Sequence, residues 1–247
     1  MISAPNLDMI EWEIQASFDK AQTEPDTGRV YNMLQFCLSG DALDTESHGD
    51  KVKIIGILFA HPESEIVKKE IIPKIGSYHF RSSGYTNFYW AGYGAFWPPG
   101  HYSDQRKVLE LDGTDWLYSD IAFNECRKQI ENQTTWKYSG DTDLILCTAR
   151  RKPETGKAGM DFSECIVCQL EQHLEAKGDH SISSFFEKIF RYAETSRNPS
   201  VYKFSDLHLL NTSKESLLDW VLKIVKMDGY FNKNKNLCIR DISKKSE

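Results

Sequence analysis

The sequence predicts an α/β fold built as a mainly parallel, Rossmann-like three-layer sheet with flanking helices. Three observations predict it. Lys53–Ala60 is a short, near-continuous apolar run that suits a strand buried on both faces. Two further strand-like runs follow, each separated from the next by a loop and a stretch with helical spacing. Two marked helix starts then come later in the chain. Strand and helix alternating in this order argue for a parallel sheet covered by helices.

The elements follow in chain order. Residues 1–52 read as an N-terminal extension or hairpin: Ile10–Phe18 mixes apolar and acidic positions, Val30–Leu38 is apolar, and Ser39–Lys51 is a polar loop. Residues 53–229 form the α/β domain. After the first strand, His61-Pro62-Glu63 is a helix-start signal, because proline lacks only an N–H that has no intrahelical partner there. Val67, Ile71, Ile75 and Tyr78 continue at helical spacing, with Pro73 expected to kink the segment. Thr86–Ala91 is the second strand, rich in aromatic residues. A helix is expected over about Leu117–Gln133, the third strand over Asp143–Thr148, and a further helix over about Asp161–Ala176. Ser184-Phe-Phe-Glu187 and Thr212-Ser-Lys-Glu215 have capping-box spacing, and each precedes an apolar stripe. Val201–Phe204 is a short fourth strand, and Gly229 stops the last helix. Residues 230–247 read as a basic C-terminal tail.

Composition narrows the class. A chain of 247 residues, 40% hydrophobic and 27% charged, has ordinary globular usage. No apolar run approaches the ~18 residues of a membrane helix. The start, MISAPNLDMIEWEI, has no basic region ahead of a long apolar one, so a cytoplasmic protein without a signal peptide is expected. The six cysteines lie within apolar or helical patterns, which favours reduced thiols. A net charge of −6 argues against a surface that tracks a phosphate backbone throughout. The lysines and arginine from Lys223 to Lys245 leave a small nucleic-acid foothold open.

In an open parallel sheet, ligands bind beyond the carboxyl ends of the strands. Three loops qualify: His61–Glu63, Gly92–Asp104 and Arg150–Gly159. The middle one is the most unusual, carrying Tyr93, Phe96, Trp97, His101 and Tyr102 among glycines and prolines. A loop with this many rings is either packed onto the core or exposed for recognition. Neither phosphate-loop nor dinucleotide glycine motif is present, and Gly92-Tyr-Gly94 is only a two-glycine fragment. Cys165 and Cys168 form a C-x-x-C, with His173 as the nearest third ligand, but zinc needs two further ligands at suitable spacing. Neither a metal nor a cofactor is therefore expected.

Two four-residue stretches carry a resemblance. Cys168-Gln-Leu-Glu171 resembles the C-x-x-E of Toll/interleukin-receptor-type domains. That resemblance implies a glutamate, here Glu171, serving cleavage of the nicotinamide–ribose bond of NAD. Leu111-Asp-Gly-Thr114 with Asp120 and Glu125 resembles the acidic constellation of nucleoside deoxyribosyltransferases, in which a glutamate attacks the sugar carbon. On one continuous helix Asp120 and Glu125 lie ~140° apart and cannot converge. They converge only if the helix begins after Asp120.

Three functions are thus expected. The first is an interaction or regulatory subunit of a bacterial multi-protein system, phage defence being one setting, which presents the aromatic loop to a protein partner. The second is an N-glycosidase that binds NAD or a nucleotide, with Glu171, Glu125 and Asp120 as the acidic candidates. The third is nucleic-acid binding through the basic tail.

Overall fold

The computed structural model describes residues 7–23, 52–74, 77–78, 86–95, 97–111, 113–152, 155–171, 181–196, 199–201 and 239–244. These carry three α-helices and eight strands: α1 (Leu7–Thr23), β1 (Lys53–Phe59), β2 (Thr86–Trp90), β3 (Tyr93–Ala95), β4 (Arg106–Leu111), β5 (Thr114–Tyr118), α2 (Asp120–Gln133), β6 (Asp143–Arg151), β7 (Ala158–Gln169), α3 (Ile182–Thr195) and β8 (Ile239–Asp241). Between β1 and β2 a π-helical turn, Val67–Ile71, runs into a 3₁₀ turn, Ile72–Lys74. Pro73 sits in that tight turn, where its missing N–H and fixed φ end the wider helix.

The expected mainly parallel, Rossmann-like sheet is not what forms. The main sheet is mixed, in the order β2-β1-β6-β7-β8, and a separate antiparallel sheet has the order β3-β5-β4. Among the described residues only β1 and β2 pair in parallel; every other pairing there is antiparallel. The largest error lies in the helix expected over Asp161–Ala176, where β7 runs instead. Ile166 and Leu170 are four apart and belong to one core layer, and four is an even number. Such residues share a strand face as readily as a helix face. The adjacent apolar quartet Cys165-Ile-Val-Cys168 distinguishes the two, since both faces of β7 are buried there. A tight hairpin with Gly156 at φ 65° therefore returns β7 along β6, where a crossover helix had been expected.

The second error is local. The helix expected from Leu117 begins at Asp120, and the preceding residues form a β4–β5 hairpin. Leu111 pairs with Thr114, with Gly113 in the turn at φ 76°. Asp112-Gly113 is thus a two-residue hairpin signal, set in the stretch that carries the deoxyribosyltransferase resemblance. In α3 the capping residue is Ser181, whose side chain accepts from the Ser184 amide, so the cap lies three residues ahead of the expected one. The expected helix from Thr212, most of the basic stretch, His173 and Phe96 lie outside the described residues.

Alternating strand residues divide the core into two layers. Ile55, Ile57, Phe59, Ile145, Cys147, Cys165 and Val167 face α1, α2 and the small sheet. Ile54, Leu58, Leu144, Leu146, Ile166 and Cys168 face the π-helical segment and α3. Helices thus cover both faces, and β1 is buried along its whole length. Two side-chain-to-backbone bonds dock α1: Gln129 Oε1 of α2 accepts from the Leu7 amide at 2.7 Å, and Gln15 Oε1 accepts from the Ala158 amide at 2.6 Å. From the 230–247 stretch, Ile239–Asp241 pairs with β7 as the outer strand. No helix among the described residues is long and apolar enough to cross a membrane.

Candidate functional site

The small sheet is fastened to the end of the large one where β1 and β2 finish. The Ala91 amide donates to the Leu58 carbonyl, and the Ser119 amide donates to the Gly92 carbonyl. The Tyr93 hydroxyl donates to the Ala60 carbonyl at 3.0 Å. Two glycines make this join possible. Gly92 has φ 82°, and a Cβ there would lie 2.7 Å from Phe123. Gly94 lies directly under the Trp97 indole, with 2.0 Å between a built Cβ and the ring. The Gly-Tyr-Gly fragment therefore serves ring packing, and no phosphate need be invoked for it.

The aromatic loop is folded onto the domain. Tyr93 is buried and packs edge-on against Trp90 and Tyr118 at 5.1 and 5.0 Å. Trp97 is only 5% exposed and meets Ala122, with Tyr102 edge-on at 5.1 Å. His101 is exposed and stands 4.7 Å from Tyr102, which is half-buried. Asp104 ties this rim to the start of α2. Its carboxylate accepts from the Ser119 hydroxyl at 2.6 Å and from the Ile121 amide at 3.0 Å, while Ser119 caps the helix by accepting from Ala122. Partial burial pushes the Asp104 carboxyl up, but the Ser119 hydroxyl and backbone amides outweigh it and hold the group below its ordinary range. Ile121 then stands exposed at 41%.

Next to the rim lies a polar cluster that the sequence reading did not assemble. Asp120 accepts from His61 Nε2 at 3.3 Å, from Arg106 Nη1 at 3.1 Å and from the Tyr118 hydroxyl at 3.2 Å. The Arg106 guanidinium also lies 4.8 Å above the Tyr118 ring. The Glu63 amide faces His61 Nδ1 at 3.4 Å, which assigns the ring proton to Nε2 and makes it the donor to Asp120. His61 follows β1 directly, and its loop was one of the three expected working edges. Arg106 went unread because its strand did.

Glu171, one residue past Leu170, forms a second knot on the other side of the 61–64 turn. Its carboxylate accepts from the Thr142 amide at 2.7 Å, from the Thr142 hydroxyl and from the Ser64 hydroxyl at 3.3 Å. Asp143 forms a third, accepting from Trp136 Nε1 at 2.9 Å and from the Ser139 amide and hydroxyl at 3.1 and 2.8 Å. Of the expected acidic residues, Asp120 and Glu171 thus flank one turn. Glu125 lies apart on the exposed face of α2, where its charge is felt by Tyr102. The helix begins at Asp120, so Asp120 and Glu125 do not converge.

The C-x-x-C does not make a metal site. Cys165 belongs to one core layer and Cys168 to the other, because residues three apart in a strand point to opposite faces. No cluster of three metal-binding side chains occurs among the described residues. Comparison of the chain with family models, with curated proteins and with solved structures gave no match.

Proposed function

We propose that the chain is an interaction subunit that docks a protein partner on the rim formed by His101, Tyr102, Ile121 and Glu125. The observation that carries this reading is Ile121. It is one of two large hydrophobic residues exposed among the described residues, and it stands at the rim of a folded ring cluster. Contact centres are enriched in aromatic residues and depleted of charge at their core, and Tyr102 and His101 stand beside this exposed apolar side chain. The carboxylates of Asp104 and Glu125 border it; burial foremost, and then both carboxylates, push the Tyr102 hydroxyl up. A partner that offers an apolar side chain ringed by lysine or arginine fits that border.

The acidic candidates support the same reading from the other side. Of these, Asp120 and Glu171 each accept three hydrogen bonds from within the chain, as does Asp143, which was not one of the candidates, while Glu125 stands exposed on α2. They hold turns and strand ends together, which is work for a scaffold that presents a surface.

Affinity capture from native extract with wild type, Ile121→Asp and Trp12→Ala tests the proposal. Trp12 is the other exposed apolar residue, at 68% on α1, and serves as the control face. A stoichiometric partner lost in I121D and retained in W12A is expected. Retention in I121D, or loss only in W12A, overturns the assignment of this face.

A further inference from the structure

The main sheet sets two cysteines face to face. Cys147 of β6 and Cys165 of β7 are directly opposed in the antiparallel ladder. Both side chains are fully buried in the layer facing α1 and α2, and the Cys147 thiol is close enough to help push the Cys165 thiol up. Directly opposed residues of such a ladder have Cα atoms ~4.5–5.5 Å apart. That lies inside the ~4.4–6.8 Å Cα separation that a disulfide spans. Cys168 faces the opposite layer and stands across from Leu144. Cys126 belongs to α2. Among the described cysteines, this pairing alone is fixed by the ladder.

The ladder is interrupted beside this pair. The next paired residues after Cys147 and Cys165 are Thr148 and Asp161, so residues 162–164 are looped out of register, with Ser163 exposed. On the outer side, β7 is covered by the three residues of β8 and by the Ile242 amide, which donates to the Cys165 carbonyl. A sub-global opening of that edge costs less than global unfolding and lifts Ile242 out of the layer that holds Cys165.

We propose that Cys147 and Cys165 are a redox-modification site, a cross-strand dithiol that hydrogen peroxide closes to a disulfide when the β8 edge opens. One thiol, as its thiolate, attacks a peroxide oxygen; the O–O bond breaks, hydroxide leaves and a sulfenic acid forms. The second thiol attacks that sulfur, the S–S bond forms, and the S–O bond breaks with loss of water. Two electrons pass from the two sulfurs to the peroxide, which ends as two waters. In the closed sheet the reaction is suppressed, since burial pushes the Cys165 thiol well up and the Cys147 thiol adds to this. Closure is therefore limited by opening of the edge.

The test is peroxide treatment of the purified full-length chain, followed by acid quench, alkylation and non-reducing peptide mapping. The expected product joins the peptides containing Cys147 and Cys165, is lighter by two hydrogens, and reverts with dithiothreitol. Its rate of formation is expected to level off as peroxide is raised. Cys168→Ala is expected to leave the link intact. Cys165→Ala, or Cys165→Val if the alanine variant does not fold, is expected to abolish it. The proposal is overturned if Cys147 and Cys165 both remain alkylatable while peroxide is consumed, or if their link forms only in urea.

Discussion

The two sheets use the same aspartate chemistry in opposite ways. At the end of the large sheet Asp143 is fully buried, and burial raises its carboxyl above the ordinary value despite help from Ser139 and Trp136. Beside the small sheet Asp104 lies near solvent, and its donors hold it below the ordinary value. The large sheet is a packed body that tolerates a charge only where it is fully hydrogen-bonded. The small sheet is a mount that uses a charge to brace a loop and leaves side chains outside. Side chains with functional potential accordingly gather along the join, from His61 through Arg106 and Asp120 to Ile121.

The largest effect that tests this contrast is expected from Asp143→Ala. It leaves the buried Trp136 N–H without its acceptor and frees two donors of the exposed Ser139, which is expected to cost about 3 kcal/mol. Urea unfolding measures it. Asp143 also sets a pH signature. A carboxyl raised in the folded state binds its proton more tightly there than in the unfolded chain. Its contribution to stability therefore falls as pH rises from the ordinary 3.8 through the raised folded value. Asp143→Asn is expected to remove that part of the slope; an unchanged slope would show that Asp143 is already ionised across this range.

This end of the large sheet was only partly legible in the sequence. The runs that became β1, β2 and β6 stood out because nearly all of their apolar residues are buried between two layers. β7 did not, since its four-residue spacing fits either structure, and with it went the sheet's direction. The rings of the Gly92–Asp104 loop were visible, but their burial was not. Gly94 admits the Trp97 indole only because the chain bends back over it, and a linear reading has no access to that contact. His61, Arg106 and Asp120 lie 45 and 14 residues apart and meet only through tertiary pairing. A pattern argument could recover such a cluster only after β4 and β5 had been read as a hairpin.

The next effect in size separates the two accounts of Glu171. As a tie for Thr142 and Ser64, its loss in Glu171→Ala is expected to destabilise the fold by about 2 kcal/mol, read by urea unfolding. An N-glycosidase glutamate would instead show NAD cleavage in the wild type that disappears in Glu171→Gln. Cleavage lost in E171Q with an unchanged urea midpoint would make the tie secondary. Gly94→Ala probes the mount itself. The new methyl occupies the place of the Trp97 indole, and overpacking of this kind is expected to cost about 1–3 kcal/mol. A red-shifted tryptophan emission would report release of the ring. A variant that keeps both its stability and its emission would show that the indole shifts at no cost, and that the rim does not depend on it.

The smallest effect is the most specific to the small sheet. Asp104→Asn keeps the shape of the brace but removes its charge, and a helix-start contact of this type contributes on the order of 1 kcal/mol. Because the Asp104 carboxyl is lowered in the folded state, its contribution is present above the ordinary 3.8 and fades as pH falls through the lower folded value. The stability gap between wild type and D104N should therefore be widest near neutral pH and close in acid, the reverse of the trend at Asp143. Thermal unfolding of both variants across that range checks it. A D104N gap that persists undiminished in acid would mean that Asp104 braces α2 by shape alone. The loop carrying His101 and Tyr102 would then be held by ring packing, and the rim would keep its geometry without the carboxylate.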